Sequence, residues 1–147
     1  FDMIQSVDSL RLAEALDRHA AEIGRRLPIL LQVNVSGEPR KEGFALAGGV
    51  ANRAAYALLS AELERAVALP QLEVRGLMTI APIGGDPEAA RPTFRMLREL
   101  RDDLARRLPQ ARWDELSMGM TDDFAAAIAE GATIVRVGRA IFGERPG

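Results

Sequence analysis

A chain of 147 residues with 48% hydrophobic content can bury one core, which sets the expectation of a single soluble domain. The formal charge of -2, with acids and arginines interspersed, leaves no basic stripe for nucleic acid, and no apolar run approaches the roughly 20 residues of a membrane-spanning helix. Cysteine is absent, which excludes disulfides and thiol chemistry, and the one histidine, His19, has no partner at metal-ligand spacing, so no metal is expected.

The opening FDMIQSVDS has neither a basic leader nor an initiator methionine, and the chain is expected to start within a longer fold. Met3 to Val7 reads as a short strand. Asp8 or Ser9 then caps a helix with Leu10, Leu12, Ala13, Leu16 and Ala20 on its apolar face, ending near Gly24. After Pro28, Ile29 to Val35 is apolar and β-branched enough for a buried parallel strand. The loop SGEPRKEG leads to a helical stretch from about Ala45 to Ala68, with a break at Gly48-Gly49 and a stop at Pro70. Leu72 to Ile80 is the next strand and APIGGDP its loop. A helix from Glu88 to Leu108 follows, with Pro92 in its first turn and Phe94, Leu97, Leu100, Leu104 and Leu108 on one face. A short strand, ELSM, precedes a helix from about Asp122 to Glu130 that Gly131 stops, and TIVRVG is the last strand.

This order of alternating strands and helices, with no hairpin signal, predicts a parallel sheet with right-handed crossovers and sequentially neighbouring strands. Five such strands suit a small open sheet, or the last five of an eight-stranded barrel, which needs about 250 residues. The barrel is favoured because phosphate-type turns follow the last two strands, where such barrels carry them, and because the chain stops at ERPG where a closing helix should begin.

The first of these turns is SMGMTDD. Ser117 and Thr121 offer hydroxyls, Gly119 allows close backbone approach, and a helix starting at Asp122 presents unpaired N–H groups; together these make a phosphate cradle. The same residues are also an ordinary helix start, with Thr121 and Asp122 as caps. The second turn is RVGRAIFG. Arg136 and Gly138 alternate onto one side of the strand, toward the interior or its mouth, and Gly138 and Arg139 add backbone N–H groups. Alternatively, Arg136 pairs with a buried acid and Gly138 only tightens the turn.

GLMTI (Gly76 to Ile80), the block from Leu116 to Gly143, IQSVDS (Ile4 to Ser9) and QVNVSGEPRKEGF (Gln32 to Phe44) together resemble the pyridoxal phosphate homeostasis proteins, single-domain relatives of the N-terminal barrel of alanine racemase. The resemblance covers the whole chain. It implies a TIM barrel of the fold-type III class that binds pyridoxal 5'-phosphate (PLP) at the C-terminal strand ends, in a cytoplasmic protein that carries or buffers PLP without robust catalysis. By position, Ser117, Gly119 and Thr121 contact the phosphate with backbone support from Gly138 and Arg139, and Arg136 faces the pyridine nitrogen. A permanent cation there keeps that nitrogen unprotonated and weakens the ring as an electron sink.

The family's cofactor-anchoring lysine lies on the first barrel strand, whereas this chain starts at about the fourth. Residues 1–147 are thus expected to be the C-terminal part of one PLP-binding domain. The single lysine, Lys41, does not match that position; as a rim residue it is a solvated charge, a phosphate-attracting cation or an alternative amine. Gln32 and Asn34 either line the barrel mouth or form a satisfied polar layer, and Met78 and Met118 lie near the cofactor face or fill the core. The expected partners are PLP and apo PLP-dependent enzymes, with no nucleic acid and no membrane. The alternatives are a racemase or decarboxylase of the same barrel type, or another phosphate-binding barrel enzyme.

Overall fold

The computed structural model of the chain describes residues 3–39, 42–82 and 86–138. Its strands are β1 (Ile4–Val7), β2 (Leu27–Asn34), β3 (Phe44–Ala45), β4 (Leu72–Met78) and β5 (Glu115–Ser117). The helices are α1 (Leu10–Glu22), α2 (Arg53–Val67), α3 (Arg91–Arg107) and α4 (Phe124–Ala129), with 3-10 turns at Gly49–Ala51 and Pro87–Ala90.

The main sheet runs β1-β2-β4-β5, every pair parallel, and Ser117 makes one further parallel bridge to Ile134. The strands are therefore sequential neighbours, as the alternating pattern predicts. The last expected strand, TIVRVG, is reduced to the Ile134 bridge. An unexpected two-residue strand, β3, pairs Phe44 and Ala45 with Val33 and Asn34, past the residues of β2 that pair with β1 and β4.

Helix boundaries follow capping chemistry. Ser9 caps α1 by accepting from the Leu12 N–H at 3.1 Å. The helix expected from Ala45 begins only at Arg53, because Asn52 is its cap and accepts from the Ala55 N–H, while Gly48 and Gly49 turn through positive φ. Pro92 sits in the first turn of α3, and Gly131 (φ 98) follows the end of α4.

Alternation along the strands separates two faces. Ile29, Leu31, Val33 and Val35 of β2 and its exit join Leu72, Val74, Leu77 and Leu116 in the core that α2 and α3 cover with Leu59, Leu63, Phe94, Leu97, Leu100 and Leu104. The opposite face carries a row in register across three strands: Gln32 beside Met78, and Met78 beside Ser117, all buried. Gly76 sets how closely β4 and β5 approach, because a Cβ there would overlap the Glu115 carbonyl. The sheet is part of a barrel, and the Gln32–Met78–Ser117 row lies on its concave side.

Candidate functional site

β5 ends at Ser117, and the chain leaves it through a turn built on Gly119. Gly119 has φ 102, and a Cβ there would lie 2.7 Å from the Ala127 Cβ and 3.2 Å from the Phe124 Cα of α4. The position admits only glycine, for backbone conformation and for space. The second turn is bound to the first by its backbone: the Met118 N–H donates to the Ile134 carbonyl at 3.0 Å, and the Arg136 N–H to the Gly119 carbonyl at 2.9 Å. Ser117, Gly119 and Arg136 thereby come together at the C-terminal edge of the sheet. Thr121 is half-buried in the same turn. Gly138 is exposed, and among the described residues a Cβ on it would meet nothing within 4 Å. Arg139 and Lys41 lie outside the described residues.

Arg136 is the electrostatic centre of this edge. One terminal nitrogen, Nη2, donates to the Thr79 carbonyl at 3.4 Å, while Nε is buried without a partner among the described residues. Burial pushes the guanidinium below its ordinary pKa and the Asp123 carboxylate opposes that shift, yet the group stays a cation at neutral pH. Among the described residues no carboxylate bonds Arg136 Nε, the pairing that one of the two sequence readings gave it. A partly desolvated cation with an unused donor suits an anionic or acceptor ligand.

Thr79 braces the same edge. Its hydroxyl donates to the Val33 carbonyl at 2.7 Å, its N–H donates to the Ser117 carbonyl at 3.1 Å, and its carbonyl receives Arg136.

The helix predicted from Asp122 to Glu130 runs instead from Phe124 to Ala129, six residues, so the Gly119 turn and not a helix N-terminus follows β5 directly. Asp123 accepts from the Met120 N–H at 2.6 Å, closing the turn with a carboxylate. Of the two readings of Asn34, its contacts fit the satisfied one: its Oδ1 accepts from the Gly37 N–H and the Ser36 hydroxyl and its Nδ2 donates to the Glu38 carbonyl, so its polar atoms fold the following loop. Gln32 donates to the Glu42 carbonyl at 3.3 Å, and Met78 is buried beside it. Met118 belongs to the helix-facing core.

Sequence reasoning missed Gln5, whose Oε1 accepts from the Ser117 hydroxyl at 2.7 Å, and Glu130, a buried carboxylate held by arginines of α3. The only advance signal for Gln5 was its place in the IQSVDS motif. Two clefts lie away from this edge. One of about 210 Å³ sits at the opposite end of the strands, lined by Arg26, Leu72, Glu73 and Arg112, and one of about 330 Å³ sits between α2 and α3. Among the described residues no group of acidic or histidine side chains could hold a metal.

The model of the alanine racemase N-terminal domain family matches residues 1–146. The pyridoxal phosphate homeostasis protein of Aquifex aeolicus is 45% identical over 143 residues, 97% of this chain and 58% of that protein. The Homo sapiens protein of the same name is 37% identical over 147 residues, 97% of this chain and 50% of that one. The chain thus spans little more than half the length of these relatives. Among solved structures, PipY of Synechococcus elongatus with PLP bound is similar with a TM-score of 0.78 and 42% identity, covering 93% of this chain and 58% of that one. Diaminopimelate decarboxylase from M. jannaschii, at 14% identity and a TM-score of 0.69 over 92% of this chain and 38% of that one, shares the fold.

Proposed function

The chain belongs to the alanine racemase N-terminal domain family, and from that premise we propose that it is the C-terminal part of a domain that binds PLP and holds it for delivery, without robust catalysis of its own. The observation that carries this reading is Arg136: a partly buried guanidinium whose Nε has no partner among the described residues, fixed by backbone bonds beside a glycine turn that has no room for a side chain.

Ser117, Gly119 and Thr121 would hold the phosphate, with the backbone of Gly138 and Arg139, and Arg136 would hold the pyridine nitrogen. Bound PLP supplies an aldehyde and an electron-withdrawing ring. Arg136 restrains the second of these, because a guanidinium has no proton to yield to the ring at neutral pH. Ser117 must release Gln5 before its one proton can serve a phosphate oxygen. The names of the homeostasis proteins and the PLP in PipY support the same reading. Recipients would be apo PLP-dependent enzymes, and the expected setting is the cytoplasm; no helix among the described residues is long and apolar enough to cross a membrane.

Equilibrium dialysis against PLP, combined with borohydride reduction and mass spectrometry, tests this. The expected result is weak, phosphate-dependent binding that falls in Arg136 and Ser117 variants, with little labelling of Lys41. Stoichiometric labelling of Lys41 would make that lysine the anchor and overturn the residue mapping. Racemisation or decarboxylation of an amino acid by the loaded chain would overturn the carrier reading in favour of an enzyme.

A further inference from the structure

α4 is only six residues long, too short to persist through its own backbone bonds. It nevertheless packs on the Gly119 turn with no space to spare, so the position of α4 is the position of that turn. What secures α4 lies at its other end. Glu130, its C-cap, is 3% exposed, and its carboxylate is gripped by three arginines of α3. Arg91 Nε and Arg95 Nη2 reach Oε1 at 2.9 and 3.2 Å, and Arg98 Nη1 reaches Oε2 at 2.6 Å. The spacing 91, 95, 98 puts all three on one face of a 17-residue helix anchored by five buried side chains. A carboxylate at a helix C-terminus meets the negative end of the dipole, so its own helix does not favour it there. The guanidiniums do.

We propose that Glu130 is a positioning residue for the phosphate turn: by tying α4 to α3 it fixes the Gly119 loop against the sheet and sets the site's preference for a phosphate-bearing ligand. This inference rests on the PLP reading above and deepens it. Glu130→Gln keeps the shape but leaves three guanidiniums converging on a neutral amide, which releases the end of α4. Arg95→Gln removes a single link from the most exposed of the three arginines and leaves the other two.

The experiment is equilibrium dialysis of the 147-residue chain against PLP and against pyridoxal, which lacks the phosphate. The wild-type chain should prefer PLP. Glu130→Gln should lower PLP affinity about tenfold, the scale of a coupling through packed elements, while changing pyridoxal affinity less than about twofold. Arg95→Gln should show the same selective loss at about threefold, and it decides the matter if Glu130→Gln does not fold. An unchanged ratio of the two affinities overturns the inference and leaves the phosphate site standing. An equal fall for both ligands also overturns it, because Glu130 then only supports the fold. A wild-type chain with no preference for PLP overturns the phosphate reading itself.

Discussion

Ser117 on β5 donates its hydroxyl proton to Gln5 on β1 at 2.7 Å, although β2 and β4 lie between those strands. In a flat sheet three strand spacings amount to about 14 Å, so the contact measures how strongly the sheet is rolled. Gln5→Leu strands a buried hydroxyl and should cost about 1–3 kcal/mol in urea unfolding. The Gln5→Leu, Ser117→Ala double variant should cost less than the sum of the two single changes. A double-mutant cycle with no coupling would show that the contact contributes nothing to stability.

Gly119→Ala combines a positive φ with a Cβ 2.7 Å from that of Ala127. Left-handed backbone and overpacking together predict a loss of about 2–4 kcal/mol in chemical denaturation. Adding Ala127→Gly should recover the packing part only, since the backbone strain stays.

Arg136→Met should separate stability from binding. The methionine keeps an apolar stem and removes a desolvated cation whose Nε has no partner among the described residues, so unfolding free energy should stay within about 0.5 kcal/mol of the parent. PLP affinity measured by dialysis should fall at least about tenfold, the value of a charge-assisted contact. Equal losses in both would mean that Arg136 is a structural residue.

Tyr56 is the single tyrosine, and its hydroxyl donates to Asp103 between α2 and α3. Burial, reinforced by the Asp103 carboxylate, pushes its pKa to about 12. A raised folded-state value means that this group's stabilisation is complete below its unfolded pKa of about 10 and is lost as pH rises toward about 12. Ultraviolet titration should show late ionisation of the phenol, and Tyr56→Phe should abolish the alkaline loss of stability in that window.

Glu130 behaves in the opposite sense. Hydrogen bonding from Arg91, helped by Arg95 and Arg98, holds its carboxyl below the usual range against the effect of burial. A depressed folded-state value gives stability that is present above the unfolded pKa of about 4.3 and lost as pH falls through the folded value. Acid denaturation should begin below about pH 4.3, and Glu130→Gln should be less stable near neutrality but flatter across the acid limb. An identical acid slope in the variant would mean that other carboxylates, Asp103 among them, govern it.

Strongly periodic and locally capped elements were legible in the sequence. The buried face of α3 from Phe94 to Leu104 follows from the spacing of its apolar residues, and Ser9 declares the start of α1. The Asn-Val-Ser-Gly run at 34–37 carried an Asx-turn signal, and reading it would have shown the Asn34 amide bonded to the loop that follows β2. The start of α2 was misplaced because helix-favouring alanines from Ala45 masked Asn52 as the cap. The partners of Glu130 stand 32 to 39 positions away and Gln5 lies 112 positions from Ser117, so nothing local distinguishes either from an ordinary polar residue. Which turns form the candidate site was readable from glycine and hydroxyl spacing; how they are braced depends on long-range closure that one-dimensional pattern does not carry.

Thr79 joins the exits of three strands through bonds outside the regular ladder: hydroxyl to Val33, amide to Ser117, carbonyl to Arg136. This stretch of the edge is consequently laced by one residue, and widening it by fluctuation requires several of these bonds to open together.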